Sequence, residues 1–135
     1  MNKPGAAGTI ASQAVAAAKP DGYTLLMGGG SETTSAGHFR QLPFHPVNDF
    51  EPIIRFIRLP IMINVSKESP WRTIQELVAN AKANPGKYSY ASSGIGSHYH
   101  AAMIVLEKQA GITFRHVPFK GGAETLTALI GAHVD

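Results

Sequence analysis

The chain has 135 residues, 44% hydrophobic and 16% charged, with a net charge of +3. That is one domain's length with enough apolar side chain to bury a core, so a disordered chain is excluded. There is no cysteine, which excludes disulfides, thiolate metal sites and a cysteine nucleophile. The basic residues are scattered rather than gathered into a nucleic-acid patch, and no apolar run nears the ~20 residues of a membrane span.

In chain order, residues 2–9 ("NKPGAAGT") read as a glycine-rich loop, and Met1 runs straight into it without the pattern of a secretion signal. An alanine-rich helix is expected over residues 10–18, with Ile10, Ala14, Ala17 and Ala18 on one face, and "KPDG" stops it. "YTLLMG", residues 23–28, is a short apolar run between turn signals and predicts a buried strand. Residues 31–50 have no clear period, and "LPFHPVNDF", with two prolines, reads as an extended surface connection. Residues 51–65 read as two strands, or one long strand broken at Pro60, because proline cannot donate to a sheet ladder.

The clearest helix follows. Thr73 and Glu76 supply a T-x-x-E capping box, Ile74, Leu77, Val78 and Ala81 keep helical spacing, and "NPG" ends it. Next come a strand over residues 87–91, a glycine loop, a helix to about Gln109, a strand over 112–117, the loop "PFKGG" and a helix over 123–130. The order β(β)αβαβα from residue 51 predicts an α/β fold, a parallel sheet flanked by helices with right-handed crossovers. Both ends of the sequence read as cut from something larger.

Three polar glycine loops fall at expected strand ends: "MGGGSETTS" after the first, "SSGIGS" after the strand ending near Ala91, and "VPFKGGAE" after the last. In the middle loop, glycines let the backbone turn close to a ligand. The free amides and positive dipole end of the following helix favour an anion there. The competing reading is a tight strand-to-helix turn with Ser97 as N-cap, and the two are compatible. Ligands in open α/β sheets bind at the carboxyl ends of strands, so loops gathered there predict one cleft.

Other chemistries fit less well. No Lys follows the glycines, as a nucleotide phosphate loop requires, and Tyr99 stands where a dinucleotide fingerprint has its third Gly. His98 and His100 are two apart and point in different directions on a helix, a poor metal pair. Ser92, Ser93 and Ser97 lie near histidines, with Asp21, Asp49 and Asp135 elsewhere, but the loop is not a G-x-S-x-G elbow and nothing in the sequence joins nucleophile, base and orienter.

Read together, the motifs resemble the tripartite tricarboxylate transporter receptor family, the Bug solute-binding proteins. "NKPGAAGTIASQAVAAAKPDGYTLLMG" is similar to that family's N-R-P-G-A-G-G…P-D-G-Y-T-L-L pattern. "LPFHPVNDFEPI" is similar to its L-P-Y-D-P-x-x-D-F-x-P connection. "NPGKYSYASSGIGSHYHAA" is similar to its helix stop, strand and S-S-G-x-G-S/T-x-x-H loop, and "RHVPFKGGAETLTALIGAHVD" to its H-V-P-Y-K-G…L-x-G-x-V-D segment. Phe44, His45 and Phe119 replace the usual Tyr, Asp and Tyr, and Glu32, Gly37 and His38 also depart from the pattern.

The resemblance implies a two-lobed periplasmic binding protein of type II that closes on a small carboxylate or related solute and delivers it to membrane transporter subunits. It implies no enzyme activity and no cofactor. On it, residues 1–50 are a remnant of the first lobe and the connection, and residues 51–135 are the core of the second, ligand-binding lobe, truncated at the C-terminus. Ser92, Ser93, Gly94, Gly96 and Ser97 correspond to the carboxylate-binding loop, and His100 to a recurrent histidine. Gly30 and Ser31 lie in the loop of residues 29–32, and Pro118, Phe119, Lys120 and Gly121 form a further cleft-lining segment. Two alternatives remain from the residues: a truncated module that self-associates without binding a solute, and, more remotely, a Ser/His hydrolase. Nucleic acid and metal are not expected partners.

Overall fold

The computed structural model describes residues 3, 5–58 and 60–135. The expectations touching Asn2 and Pro4 in the first loop and Leu59 in the run 51–65 lie outside the described residues. Helices α1 (Thr9–Ala16), α2 (Ile74–Ala83), α3 (His98–Ala110) and α4 (Gly122–Ile130) and strands β1 (Ser89–Ser92) and β2 (Arg115–Pro118) make up the regular structure. β1 and β2 pair in parallel, Ser89 opposite Arg115 and Ser92 opposite Pro118, with α3 as the crossover. The α/β class with a parallel sheet and flanking helices is as expected.

α2 starts where the sequence says it should. Thr73 is extended and its hydroxyl accepts from the Glu76 amide at 3.2 Å. The Glu76 carboxylate accepts from the Arg72 amide at 2.6 Å, one residue before the cap. The reciprocal arm of the box is therefore displaced by one residue, but an orphan amide is still satisfied. The apolar face of α2 packs into the core, where Trp71, Leu77, Ala81, Ile112 and Phe114 are buried and Val78, Tyr88, Tyr90, Met103 and Ala110 close around them. Trp71 stands edge-on to Tyr88, with centroids 4.7 Å apart. The Asp135 carboxylate accepts from the Ser89 amide and hydroxyl at 2.9 and 2.8 Å and ties residue 135 to the start of β1.

Three expectations are corrected. Residues 23–28 and 51–65 form no strand among the described residues, and most of their apolar side chains are exposed, Tyr23 by 92% and Phe56 by 79%, with Leu26, Ile61, Ile63 and Val65 more covered. A strand needs a second backbone to complete its ladder, and apolar composition does not supply one. The run 42–50 is not simply extended, since the Asp49 amide closes a turn by donating to His45 O and Phe44 is buried edge-on against Phe50. Residues 31–38, without a clear period, form a π-type turn at Ser31–Ser35 that runs into a 3-10 turn at Ala36–His38. α1 buries Thr9 and Ser12 rather than the face of Ile10, which is about half exposed. Their short hydroxyls bond locally, to Ala6 O and Gly8 O, and let the helix approach the 31–35 turn closely.

Candidate functional site

β1 ends at Ser92 and α3 begins at His98, and the chain between them turns on two glycines in left-handed conformations: Gly94 at φ +124° and Gly96 at φ +80°. Added β-carbons would meet Phe119 O at 3.5 Å and Ala7 N at 3.9 Å at the first, and Phe39 Cβ at 3.4 Å at the second. Glycine is favoured here for its torsion angles, since these contacts alone would tolerate a β-carbon. Ser97 is fully buried and caps α3, its hydroxyl accepting from the His100 amide at 3.2 Å. Ser92 is also buried. Its hydroxyl lies 2.7 Å from His116 Nε2 and accepts from the Gly94 amide at 3.3 Å. Ser93 is partly exposed.

Much of the loop's donor capacity is spent internally. The Gly94 amide donates to Ser92 Oγ, Gly96 to His100 Nδ1, Ser97 to Gly94 O and His98 to Ser31 Oγ. Among the described residues, the amides of Ser93, Ile95 and Tyr99 are left without a protein acceptor.

The other two glycine loops meet this one. Ser31 is buried with its hydroxyl 2.7 Å from His98 Nδ1, Ser35 donates to Gly96 O at 2.7 Å, and exposed Gly30 lies against His98. On the other side the Phe119 amide donates to Ser92 O at 2.9 Å, while Pro118 and Lys120 are exposed. The Lys120 amide bonds Glu124, and Gly121 stands at the N-cap of α4. The three loops are therefore in contact, although the first of them follows no strand among the described residues. A fourth segment joins them, the tight turn Ala6–Gly8, in which Ala6 and Ala7 both have positive φ. The Arg40 guanidinium holds that turn through Ala6 O and Thr9 Oγ1. The only local hint of this turn in the sequence is "PGAAG".

Behind the loop lies a stack of rings. His100 is stacked on His116 with centroids 4.0 Å apart, Tyr90 stacks on His116 at 4.8 Å, and Phe39 lies 4.9 Å from His100. Burial, and then the neighbouring His100, lower the His116 pKa to about 4. Burial also lowers that of His100, against the opposing pull of Glu107. Burial, reinforced by Glu107, raises Tyr90. A neutral His100 suits its role, since Nδ1 must be unprotonated to accept from Gly96. Ser35, Arg40 and His116 lie outside the sequence expectation, because each reaches the site across a long stretch of chain.

The geometry bears on the rejected chemistries. His98 and His100 each turn Nδ1 to a different partner, Ser31 and Gly96. Among the described residues, no three His, Cys, Asp or Glu side chains are grouped to hold a metal. Ser92 and His116 form a serine–histidine pair, but the hydroxyl is shut from solvent and no carboxylate orients the imidazole among the described residues.

Known proteins give the same reading. A UPF0065 protein of Bordetella pertussis is 37% identical over 99% of this chain, which spans 42% of that relative's length. MatC of Rhodopseudomonas palustris, solved with bound malate, superposes with a TM-score of 0.87 at 30% identity over 97% of this chain and 45% of its own. A second R. palustris protein, solved with adipate, superposes at 0.86 with 29% identity over 94% of this chain and 43% of its own. The profile described as the tripartite tricarboxylate transporter family receptor matches residues 1–135. That family is one of transport receptors rather than enzymes. The chain belongs to the tripartite tricarboxylate transporter receptor family.

Proposed function

We propose that this chain carries the solute-binding centre of a periplasmic receptor that captures a small organic carboxylate for a tripartite tricarboxylate-type transporter. The observation that carries this reading is the meeting of three glycine loops at the start of α3, where the amides of Ser93, Ile95 and Tyr99 remain to be satisfied. Such amides beside a helix N-terminus suit a carboxylate. The malate and adipate in the related structures support the ligand class.

In this reading Ser93 and the backbone of Gly94 and Gly96 shape the seat, while Ser92, Ser97 and His100 hold it in place. Gly30 and Ser31 wall it from one side, and Pro118, Phe119, Lys120 and Gly121 from the other. Residues 1–50 belong to the first lobe and its connection, and residues 51–135 to the second. Isothermal calorimetry of the whole receptor against a panel including malate, adipate and succinate tests the proposal. Heat that saturates with one of them supports it, and none from any of them or from amino carboxylates of the same lengths would overturn it.

The exposed apolar side chains of Ile53, Phe56 and Ile57 favour a second reading, self-association through that run. Light scattering that finds only a monomer at high concentration would remove it.

A further inference from the structure

Glu32 departs from the family pattern and sits in an unusual place for an acid. It is 8% exposed, and its Oε1 accepts from the Gly29 amide. Its Oε2 lies against Gly8, 2.8 Å from where a β-carbon would stand, and takes no hydrogen bond among the described residues. Yet Oε2 is not sealed in, since Trp71 Nε1 is the only fully enclosed, unpartnered side-chain nitrogen or oxygen among the described residues.

A buried carboxylate normally has a counter-charge. Three candidates lie close, and none neutralises it. The Arg40 guanidinium turns one nitrogen to Ala6 O and Thr9 Oγ1 and makes no ion pair with Glu32 among the described residues. His98 turns Nδ1 to Ser31, and its burial favours the neutral ring. The start of α1 has no side-chain cap and offers only roughly half an elementary charge. The missing charge can come from the solute. The turn Ala6–Gly8 has Glu32 on one side, at Gly8, and Gly94 on the other, at Ala7. Glu32 and Gly94 thus touch the same tight turn, and the Glu32 charge acts on His98 at the start of α3.

We infer that Glu32 is a specificity-determining residue, a seat for a cationic nitrogen, and that this receptor prefers an amino carboxylate to a dicarboxylate. The inference rests on the receptor reading above. A second carboxylate placed beside Glu32 would meet like charge at low dielectric, and an ammonium would complete an ion pair.

The test is calorimetry on the whole receptor with matched pairs in which an ammonium replaces one carboxylate: glycine against malonate, 3-aminopropanoate against succinate, 4-aminobutyrate against glutarate. At least one amino carboxylate should bind about tenfold or more tightly than its diacid. Glu32→Gln, whose amide oxygen can still accept from Gly29, should bring the pair near parity. Diacids binding better than their amino partners in the unaltered protein, a comparison that needs no variant, would overturn the inference and leave the receptor reading standing. So would a preference unchanged in Glu32→Gln. No binding by either series would overturn both.

Discussion

Ile112 and Phe114, on the approach to β2, are buried against Trp71, Leu77 and Ala81, while Ile53, Phe56 and Ile57 carry as much apolar surface and stay in water. Both segments have the composition of strands. What separates them is a partner: α3 brings the chain back beside β1, so β2 finds a parallel ladder and α2 finds a face to cover. Residues 51–65 find no ladder among the described residues. Burial of a strand therefore follows from pairing as well as from hydrophobicity, and an unpaired apolar run leaves its amides and carbonyls to water.

Paired truncations would break this comparison most directly. Leu77→Ala, in the closed core, should cost about 2–5 kcal/mol because it leaves a cavity as well as losing burial. Phe56→Ala should stay within about 0.5 kcal/mol, as exposed substitutions do. Urea unfolding of both variants measures the difference. Equal losses would mean that the run 51–65 is covered in the whole receptor.

Within the closed half, the loop before α3 gives smaller effects. Gly96→Ala must hold a β-carbon at φ +80° with Phe39 Cβ 3.4 Å away, and should cost about 1–2 kcal/mol and weaken solute binding. A variant as stable and as tight-binding as the parent would show that the loop relaxes freely. Ser97→Ala should cost about 1 kcal/mol through the lost cap and change solute affinity little, because the hydroxyl is buried. Lost affinity at unchanged melting temperature would instead assign that hydroxyl to the solute.

The same contrast explains what could be read from sequence. The cap at Thr73, the "NPG" stop and the glycine turns at 94 and 96 are legible because each depends on neighbours a few residues away. β1 and β2 are legible because the intervening helix α3 is legible too and returns the chain beside β1. The strands expected at 23–28 and 51–65 fail because their requirement is a distant backbone. At the site, the loops were legible and their fastening was not. Ser31 reaches His98 across 67 residues, Ser35 reaches Gly96 across 61, and Ser92 reaches His116 across 24. Glu32 marked itself only as a departure from pattern; its burial beside Gly8 required the fold.

The last predicted effect is silent at neutral pH and appears only in acid. His116 titrates at about 4 in the folded protein against an ordinary 6.5, and His100 is lowered in the same direction. Glu107 opposes the shift at His100, and Tyr90, raised, stays neutral across the range. Between about pH 6.5 and 4 the unfolded chain binds a proton that folded His116 refuses, so stability is complete above that window and falls as pH drops through it. Urea midpoints should decline from pH 7 to 4.5, and His116→Gln should remove part of that decline. Hydrogen exchange sharpens the regional contrast: amides of β1 and β2 should lose protection over this range, while those of residues 51–65, open to water throughout, should show little protection to lose. A decline of the same steepness in His116→Gln would assign the acid sensitivity to groups outside the ring stack.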